Sequence, residues 1–384
     1  MSLRTEIPVP PALSVRYGRT SAGRAWLSSL PGILHGRLEH WDLAADLESG
    51  TFPRHGHGGM VVPVRRKDGS PAALKIAFPH DEAKAERHAL SLWGGSGAVR
   101  LLESDAGTYA MLLERLDPGC SLQTVPLEEA AAVWGRLVRQ LSLIPGDEPE
   151  WQEFDHIAGR AEQWSDDLPA DWEQQGRPFP RWLLEAALEV CQTRGAVGRR
   201  SGRDVLVHTD FHFLNILARP EATSVQGAGV HSVGVHSAGV HSVGVHSVGV
   251  HSAGLHSAGV PGASGRTFVA IDPQPMVGEP EFAVAPLLWN RLGDLPRGNP
   301  AAGLRQRCLD FSGAAGLDAE TARQWAVARE VDNALWYAPR PGHQGDLARS
   351  LWVASTLAGQ TLDDLPAAHD LPEPGDSNPR KADR

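Results

Sequence analysis

The chain changes its hydrophobic period once along its length, and that single change narrows the fold more than any other feature. In the first third the apolar residues fall in short, strand-like runs. Met60-Val61-Val62-Pro63-Val64 and Ala72-Ala73-Leu74-Lys75-Ile76-Ala77 flank Arg65-Arg66-Lys67-Asp68-Gly69, whose Asp-Gly is a hairpin signal. A helix is expected from about Asp81 to Trp93, opened by acidic residues and stopped by Gly94-Gly95. Val99–Leu102 and Tyr109–Leu113 read as two further strands, and Asp117-Pro118-Gly119 as a turn. Beyond that turn the spacing is helical, over Leu127–Leu143, Pro180–Thr193, Thr321–Tyr337 and Gly345–Ala358. Strands first and helices afterwards predict an α+β protein of two lobes. The expected boundaries are 1–116 for a strand-rich N-terminal lobe and 117–365 for a helical C-terminal lobe. Residues 366–384, rich in Pro, Asp and Lys/Arg, read as a disordered tail.

The 384 residues suffice for such a bilobal chain with a sizeable core. Its 36 basic and 46 acidic residues give a net charge of −10, which argues against a nucleic-acid partner and is compatible with a cationic ligand. Cys120, Cys191 and Cys308 lie far apart without a CxxC pair, so neither a disulfide framework nor a zinc site is expected. The N-terminus lacks the apolar run of a signal peptide, and no stretch reaches the roughly 20 apolar residues of a membrane span. A cytoplasmic monomer without membrane partners is the expectation.

Between Val230 and Gly259 a five-residue unit, Val/Leu-His-Ser-Val/Ala-Gly, recurs six times and places His231, His236, His241, His246, His251 and His256. That spacing rotates each histidine about 140° from the last on a helix and alternates faces on a strand, so neither element gathers them on one side. Residues 227–260 are therefore read as a low-complexity insertion grown by tandem duplication, with metal capture as its one functional alternative.

Three groups of residues carry chemistry. In the first, Val205-Leu206-Val207 leads into His208-Thr209-Asp210-Phe211-His212-Phe213-Leu214-Asn215, followed by Ile216-Leu217. Apolar strands flank a polar loop, and the Asp-to-Asn interval is that of the kinase loop H-R-D-x-x-x-x-N, where Asp accepts the hydroxyl proton and Asn ligates a metal. In the second, the strand Thr267-Phe268-Val269-Ala270-Ile271 delivers Asp272 at its end, as a Mg²⁺ ligand requires; taken alone, Asp272-Pro273 would simply begin a turn. In the third, Lys75 sits inside an apolar strand, where an unpaired ammonium is costly. The chain has only three other lysines, Lys67, Lys84 and Lys381. Glu86 shares a helix face with Leu90 and Trp93, so its carboxylate points inward and can brace Lys75. No GxxxxGK[ST] is present, which excludes a P-loop enzyme. Arg54-His55-Gly56-His57-Gly58-Gly59-Met60 is the one candidate phosphate-covering loop, and an ordinary glycine-rich turn explains it nearly as well.

Together with Glu86-Arg87-His88-Ala89-Leu90-Ser91-Leu92-Trp93, Met111-Leu112-Leu113-Glu114-Arg115-Leu116 and Ile271-Asp272-Pro273-Gln274-Pro275-Met276, these segments resemble the aminoglycoside phosphotransferase family, more narrowly its streptomycin 6-kinase and hydroxyurea phosphotransferase group. The resemblance spans about residues 25–360, apart from the repeat. It implies a protein-kinase-like fold with ATP between the lobes and a hinge at Leu113–Leu116, so that Glu114 and Leu116 join Lys75 and Glu86 as nucleotide-binding residues. Asp210 would be the catalytic base, and Asn215 and Asp272 would hold Mg²⁺. The acceptor would be an aminoglycoside such as streptomycin, with Asp166, Asp167, Glu330 or Asp332 binding its cationic groups. Two departures from the family stand out: the repeat lengthens the Asn215–Asp272 interval, and Phe211 and Phe213 are bulky enough to narrow the acceptor site. Two rival readings remain open. One keeps the enzyme class and takes an endogenous sugar, amino sugar or hydroxyurea-like acceptor. The other is a non-catalytic nucleotide- or metal-binding protein.

Overall fold

A computed structural model describes residues 7–48, 51–56, 58–195, 204–220, 260–261 and 265–373. The histidine repeat lies outside these residues, as does the tail from residue 374.

Two helices open the chain, α1 (Pro11–Tyr17) and α2 (Ser21–His40), and neither is expected from the sequence pattern. Three glycines and Pro31 dilute the helical signal of α2, while Thr20 caps it by accepting from Gly23 N. The short strands β1 (Ala44–Ala45) and β2 (Arg54–His55) precede β3 (Gly59–Arg65) and β4 (Pro71–Ala77). Helix α3 (Asp81–Trp93), β5 (Leu101–Asp105) and β6 (Ala110–Glu114) complete the small lobe. The sheet is antiparallel in the order β1-β3-β4-β6-β5, with β2 also on β3.

Side-chain alternation divides this sheet into two faces. Met60, Val62, Val64, Leu74, Ile76 and Leu112 pack on one face against Leu13, Tyr17, Trp26, Leu30 and Leu34 of the two opening helices. Met111 and Leu113 point to the other face, where Ala85, Ala89, Leu90 and Trp93 of α3 meet them. Lys75 opposes Met111 in the ladder and so belongs to this second face. Helix α3 ends where Gly94 turns left-handed at φ 56°.

After β6 the chain crosses to a second sheet. Asp117–Ser121 is an edge strand, β7, where a turn was expected, because Asp117 pairs with Ala218. Helices α4 (Leu127–Leu141), α5 (Ile157–Gln174) and α6 (Arg181–Arg194) lead to β8 (Val205–His208) and β9 (Ile216–Ala218). Then come β10 (Val260–Pro261), β11 (Thr267–Ala270), β12 (Pro275–Gly278) and the single turn α7 (Ala285–Leu288). Helices α8 (Pro300–Ala315), α9 (Ala319–Tyr337) and α10 (Gln344–Leu357) close the lobe around fully buried Trp134, Trp325 and Phe311. The strand-rich lobe followed by a helical one is the α+β arrangement expected.

The boundary of the tail needs correcting. Residues 366–373 are placed, a helical turn forms at Ala368–Asp370, and Ala368 and Leu371 are buried in the core of the large lobe. His369 Nε2 bonds the carbonyl of Leu295 at 2.8 Å. Two apolar side chains on a polar background are too weak a pattern to mark such a strap in the sequence.

Candidate active site

Two ladders bring the chemical residues together. Strands β8 and β12 pair with His208 opposite Pro275, and β9 and β11 pair with Ile216 opposite Ala270. Between them run two facing loops, 209–215 and 271–274. The loops are tied directly: Ile271 N donates to Asn215 O at 2.9 Å, and Thr209 donates from both N and Oγ1 to Gln274 O at 3.0 and 2.8 Å. Asp210 and Asp272 are thereby set side by side from stretches 62 residues apart in sequence.

The first loop is held from inside. Asn215 Nδ2 donates to Asp210 O at 2.8 Å and to Asp210 Oδ2 at 3.2 Å. His208 accepts from Asp210 N at 3.3 Å and bonds Ile271 O through Nε2 at 3.0 Å. Trp134 Nε1 donates to Phe211 O at 3.1 Å. The rings of Phe211 and Phe213 are both buried, Phe211 against Trp134 and His208 and Phe213 against Phe311. They face the core, so the expectation that they narrow the acceptor site is wrong; alternation through the loop sends them inward while His212 stays at the cleft.

Across the cleft, Lys75 Nζ bonds Glu86 Oε1 at 2.5 Å, Glu86 Oε2 at 2.6 Å and Asp272 Oδ1 at 2.6 Å. Lys75 and Glu86 are 7% and 4% exposed, so two carboxylates satisfy a cation almost removed from water. Asp272 itself adopts the left-handed backbone, φ 53°, an uncommon conformation for a residue with a side chain. Such strain persists where the surroundings over-determine it, which is a feature of functional sites.

The glycine-rich stretch forms the turn between β2 and β3, with Gly56 N bonded to Gly59 O at 3.1 Å. Gly59 has a packing reason for being glycine, because a Cβ there would press on the Ile76 carbonyl and lie 2.8 Å from Ala77 Cα. A Cβ on Gly56 would point toward the cleft, 3.9 Å from Asp272 Oδ2. At the end of β6, the Glu114 carboxylate takes two bonds from Arg219, at 2.9 and 3.0 Å, and one from Arg100 N at 2.9 Å. Its side chain is engaged between the lobes, and Glu114, Arg115 and Leu116 line the cleft.

Lys75, Glu86, Asp210, Asn215 and Asp272 line one cleft of about 1120 Å³, which runs from Val61 and Leu116 at one end to Trp289, Asn290 and Tyr337 at the other. Of the carboxylates expected to meet an acceptor, Glu330 and Asp332 line it, Glu330 being deeply buried. Asp166 and Asp167 do not; both are exposed on α5. Burial first, then the charges of Asp167 and Asp332, hold the Asp171 carboxyl above the usual carboxylate range. Arg329 also lines the cleft, and nothing in the sequence reading singled it out. Four polar residues within Arg329–Asn333, directly after the apolar run Trp325–Ala328, are the signal that the sequence offers.

A braced lysine in the sheet lobe, facing an Asp-to-Asn loop and a strand-end Asp across one cleft, is the architecture of a small-molecule kinase of protein-kinase-like fold. The model of the aminoglycoside/hydroxyurea antibiotic resistance kinases matches residues 40–166 and 206–340, and the chain belongs to that family. It is 30% identical over 343 residues to a streptomycin 6-kinase of Streptomyces griseus, covering 88% of this chain and 92% of that one. It is 31% identical over 359 residues to a hydroxyurea phosphotransferase of Kitasatospora aureofaciens, covering 91% and 84%. Among solved structures, a macrolide 2'-phosphotransferase from Brachybacterium faecium aligns over 86% of this chain and 99% of its own, with a TM-score of 0.47 and 16% identity. Helices α1 and α2 precede the family match.

Proposed function

We propose that the protein moves the γ-phosphoryl group of ATP onto a hydroxyl of an aminoglycoside, with streptomycin as the first acceptor to test. The observation that carries this reading is the single cleft shared by Lys75, Asp210, Asn215 and Asp272 with the acidic, aromatic far end at Glu330, Asp332, Trp289 and Tyr337.

Asp210 accepts the proton of the acceptor hydroxyl as its oxygen bonds to phosphorus and the bond to the departing ADP breaks. Lys75, oriented by Glu86, neutralises charge on the nucleotide phosphates. The backbone of Glu114–Leu116 receives the base of the nucleotide. Asn215 and Asp272 fit a magnesium ion: the Asn215 amide turns its nitrogen to Asp210, which leaves Oδ1 for a cation, and Asp272 adds a carboxylate. Among the described residues no group of three or more His, Cys, Asp or Glu could hold a metal. Two protein oxygens completed by phosphate oxygens are what magnesium ordinarily takes, and the ion would neutralise phosphate charge there. Phosphoryl transfer asks the protein for positioning and electrostatics more than for covalent chemistry.

The cleft's volume exceeds the roughly 300–1000 Å³ of ordinary small-molecule pockets. It has room for a nucleotide beside a saccharide-sized acceptor. A cationic acceptor suits Glu330 and Asp332. We take the enzyme to be cytoplasmic, a compartment in which Cys120, Cys191 and Cys308 stay reduced, and to be monomeric. A panel of streptomycin, other aminoglycosides, amino sugars and hydroxyurea, incubated with MgATP and read by mass for an added phosphate, tests the assignment. Phosphate on streptomycin supports it; phosphate on hydroxyurea or a simple sugar alone would replace it.

A further inference from the structure

Helix α9 does more than line the acceptor end of the cleft. Its Arg329 guanidinium donates through Nη1 to the backbone carbonyl of Thr209, the residue immediately before Asp210. The guanidinium is seated on a prepared shelf, 5.3 Å over the ring of Phe282. That ring is itself buried, stacked on Trp164 at 6.2 Å and set edge-on to Trp325 at 5.2 Å. Glu330, Asp332 and Asn333 of the same helix line the acceptor end.

We propose that Arg329 is a positioning residue that sets Asp210 in register with the acceptor-binding face of α9. This rests on the reading of Asp210 as the base. The other bonds of the loop described above run to its own Asn215, to His208, to Ile271 and Gln274 of the facing loop and to Trp134 of α4, and none of these refers Asp210 to the helix that faces the acceptor. The Arg329 bond does. A guanidinium suits the task because its planar fork can donate sideways to a carbonyl while its face lies on an aromatic ring, which an ammonium cannot do with the same geometry. The expected consequence is kinetic. Loss of the bond lets the base drift relative to the hydroxyl, and a displacement near 1 Å costs on the order of 100-fold in rate.

The test is a double-mutant cycle of Arg329→Ala and Asp210→Asn. Transfer to streptomycin is measured alongside acceptor-free ATP hydrolysis, in which water takes the place of the hydroxyl. Arg329→Ala should lower kcat about 10- to 100-fold, leave KM for ATP within about twofold, and cost less than about threefold when Asp210 is already Asn. Arg329→Lys, which keeps the charge and folds if Arg329→Ala does not, should recover only part of kcat. Additive losses in the cycle, or full activity of Arg329→Lys, would overturn the positioning role while leaving the base in place. Near wild-type turnover of Asp210→Asn would instead overturn the base reading itself, and the positioning role with it.

Discussion

Replacing Glu86 by Gln tests how much stability the protein draws from the buried charge cluster around Lys75. The substitution keeps shape and removes the charge that takes both short bonds from Lys75. Removing one partner of a buried ion pair ordinarily costs about 3–5 kcal/mol, because the other charge stays buried without compensation. Here Asp272 remains on Lys75 at 2.6 Å, yet its side chain is 25% exposed and so screened by water. Roughly half the penalty should survive, about 2–3 kcal/mol, a large share of the 5–15 kcal/mol that folded proteins hold in reserve. Asp272→Asn should cost less, about 1 kcal/mol or below, since Glu86 keeps both oxygens on the lysine. Urea unfolding at unchanged m reads the order directly, with the Glu86→Gln midpoint falling by about 1 M. The same variant should bind MgATP more weakly, because Lys75 is then drawn to Asp272 alone. An unfolding free energy within about 0.5 kcal/mol of wild type, or a larger loss from Asp272→Asn than from Glu86→Gln, would refute this account of the cluster.

Three further outcomes follow from the geometry. Asp272→Asn should raise the magnesium needed for half-maximal rate about tenfold or more, read by titrating MgCl₂ at fixed ATP. Gly59→Ala should destabilise by about 1–3 kcal/mol, because the new methyl meets the backbone of Ile76 and Ala77; unchanged thermal unfolding would count against the tight strand contact. Burial pushes the Cys191 thiol up to about 12, so the folded state keeps a proton that the unfolded chain releases above pH 9. Stability contributed by that proton is whole below pH 9 and is lost as pH rises toward 12, by about 1 kcal/mol at pH 10; Cys191→Ala should flatten unfolding curves in that window.

The parts of the fold legible in the sequence are those where local pattern and tertiary role agree. Lys75 and Glu86 could be paired beforehand because a lysine in an apolar strand and a glutamate on an apolar helix face each need a partner. The Asp210 loop was legible because its flanking strands are continuous apolar runs. Helix α2 was not, since its stability comes from Trp26, Leu30 and Leu34 covering the outer sheet face and not from its own propensity. Asp117-Pro118-Gly119 has turn chemistry and still pairs with β9, an edge-strand position that tolerates proline. The bond from Lys75 to its second carboxylate partner, Asp272, joins residues 197 apart, and no local pattern encodes it. Arg329 was missed for the same reason: its partner is a backbone carbonyl 120 residues away, and a carbonyl carries no sequence signal.

The pairing of β9 with β11, and of β11 with β10, has a bearing on how this gene can change. Ala218 and Val260 both sit opposite Phe268, one on each side of it. The strands that border the pentapeptide repeat in sequence, β9 and β10, are therefore each held to β11 by hydrogen bonds that lie outside the repeat itself. Each pentad corresponds to fifteen bases of coding DNA. Slippage during replication would add or drop whole units without shifting the reading frame, and without moving Asn215 or Asp272. Doubling a chain between fixed ends costs only about 0.6 kcal/mol when that chain is flexible. Copy number is then free to drift from strain to strain, and closely related genes would be expected to differ in the number of pentads while agreeing in the residues on either side.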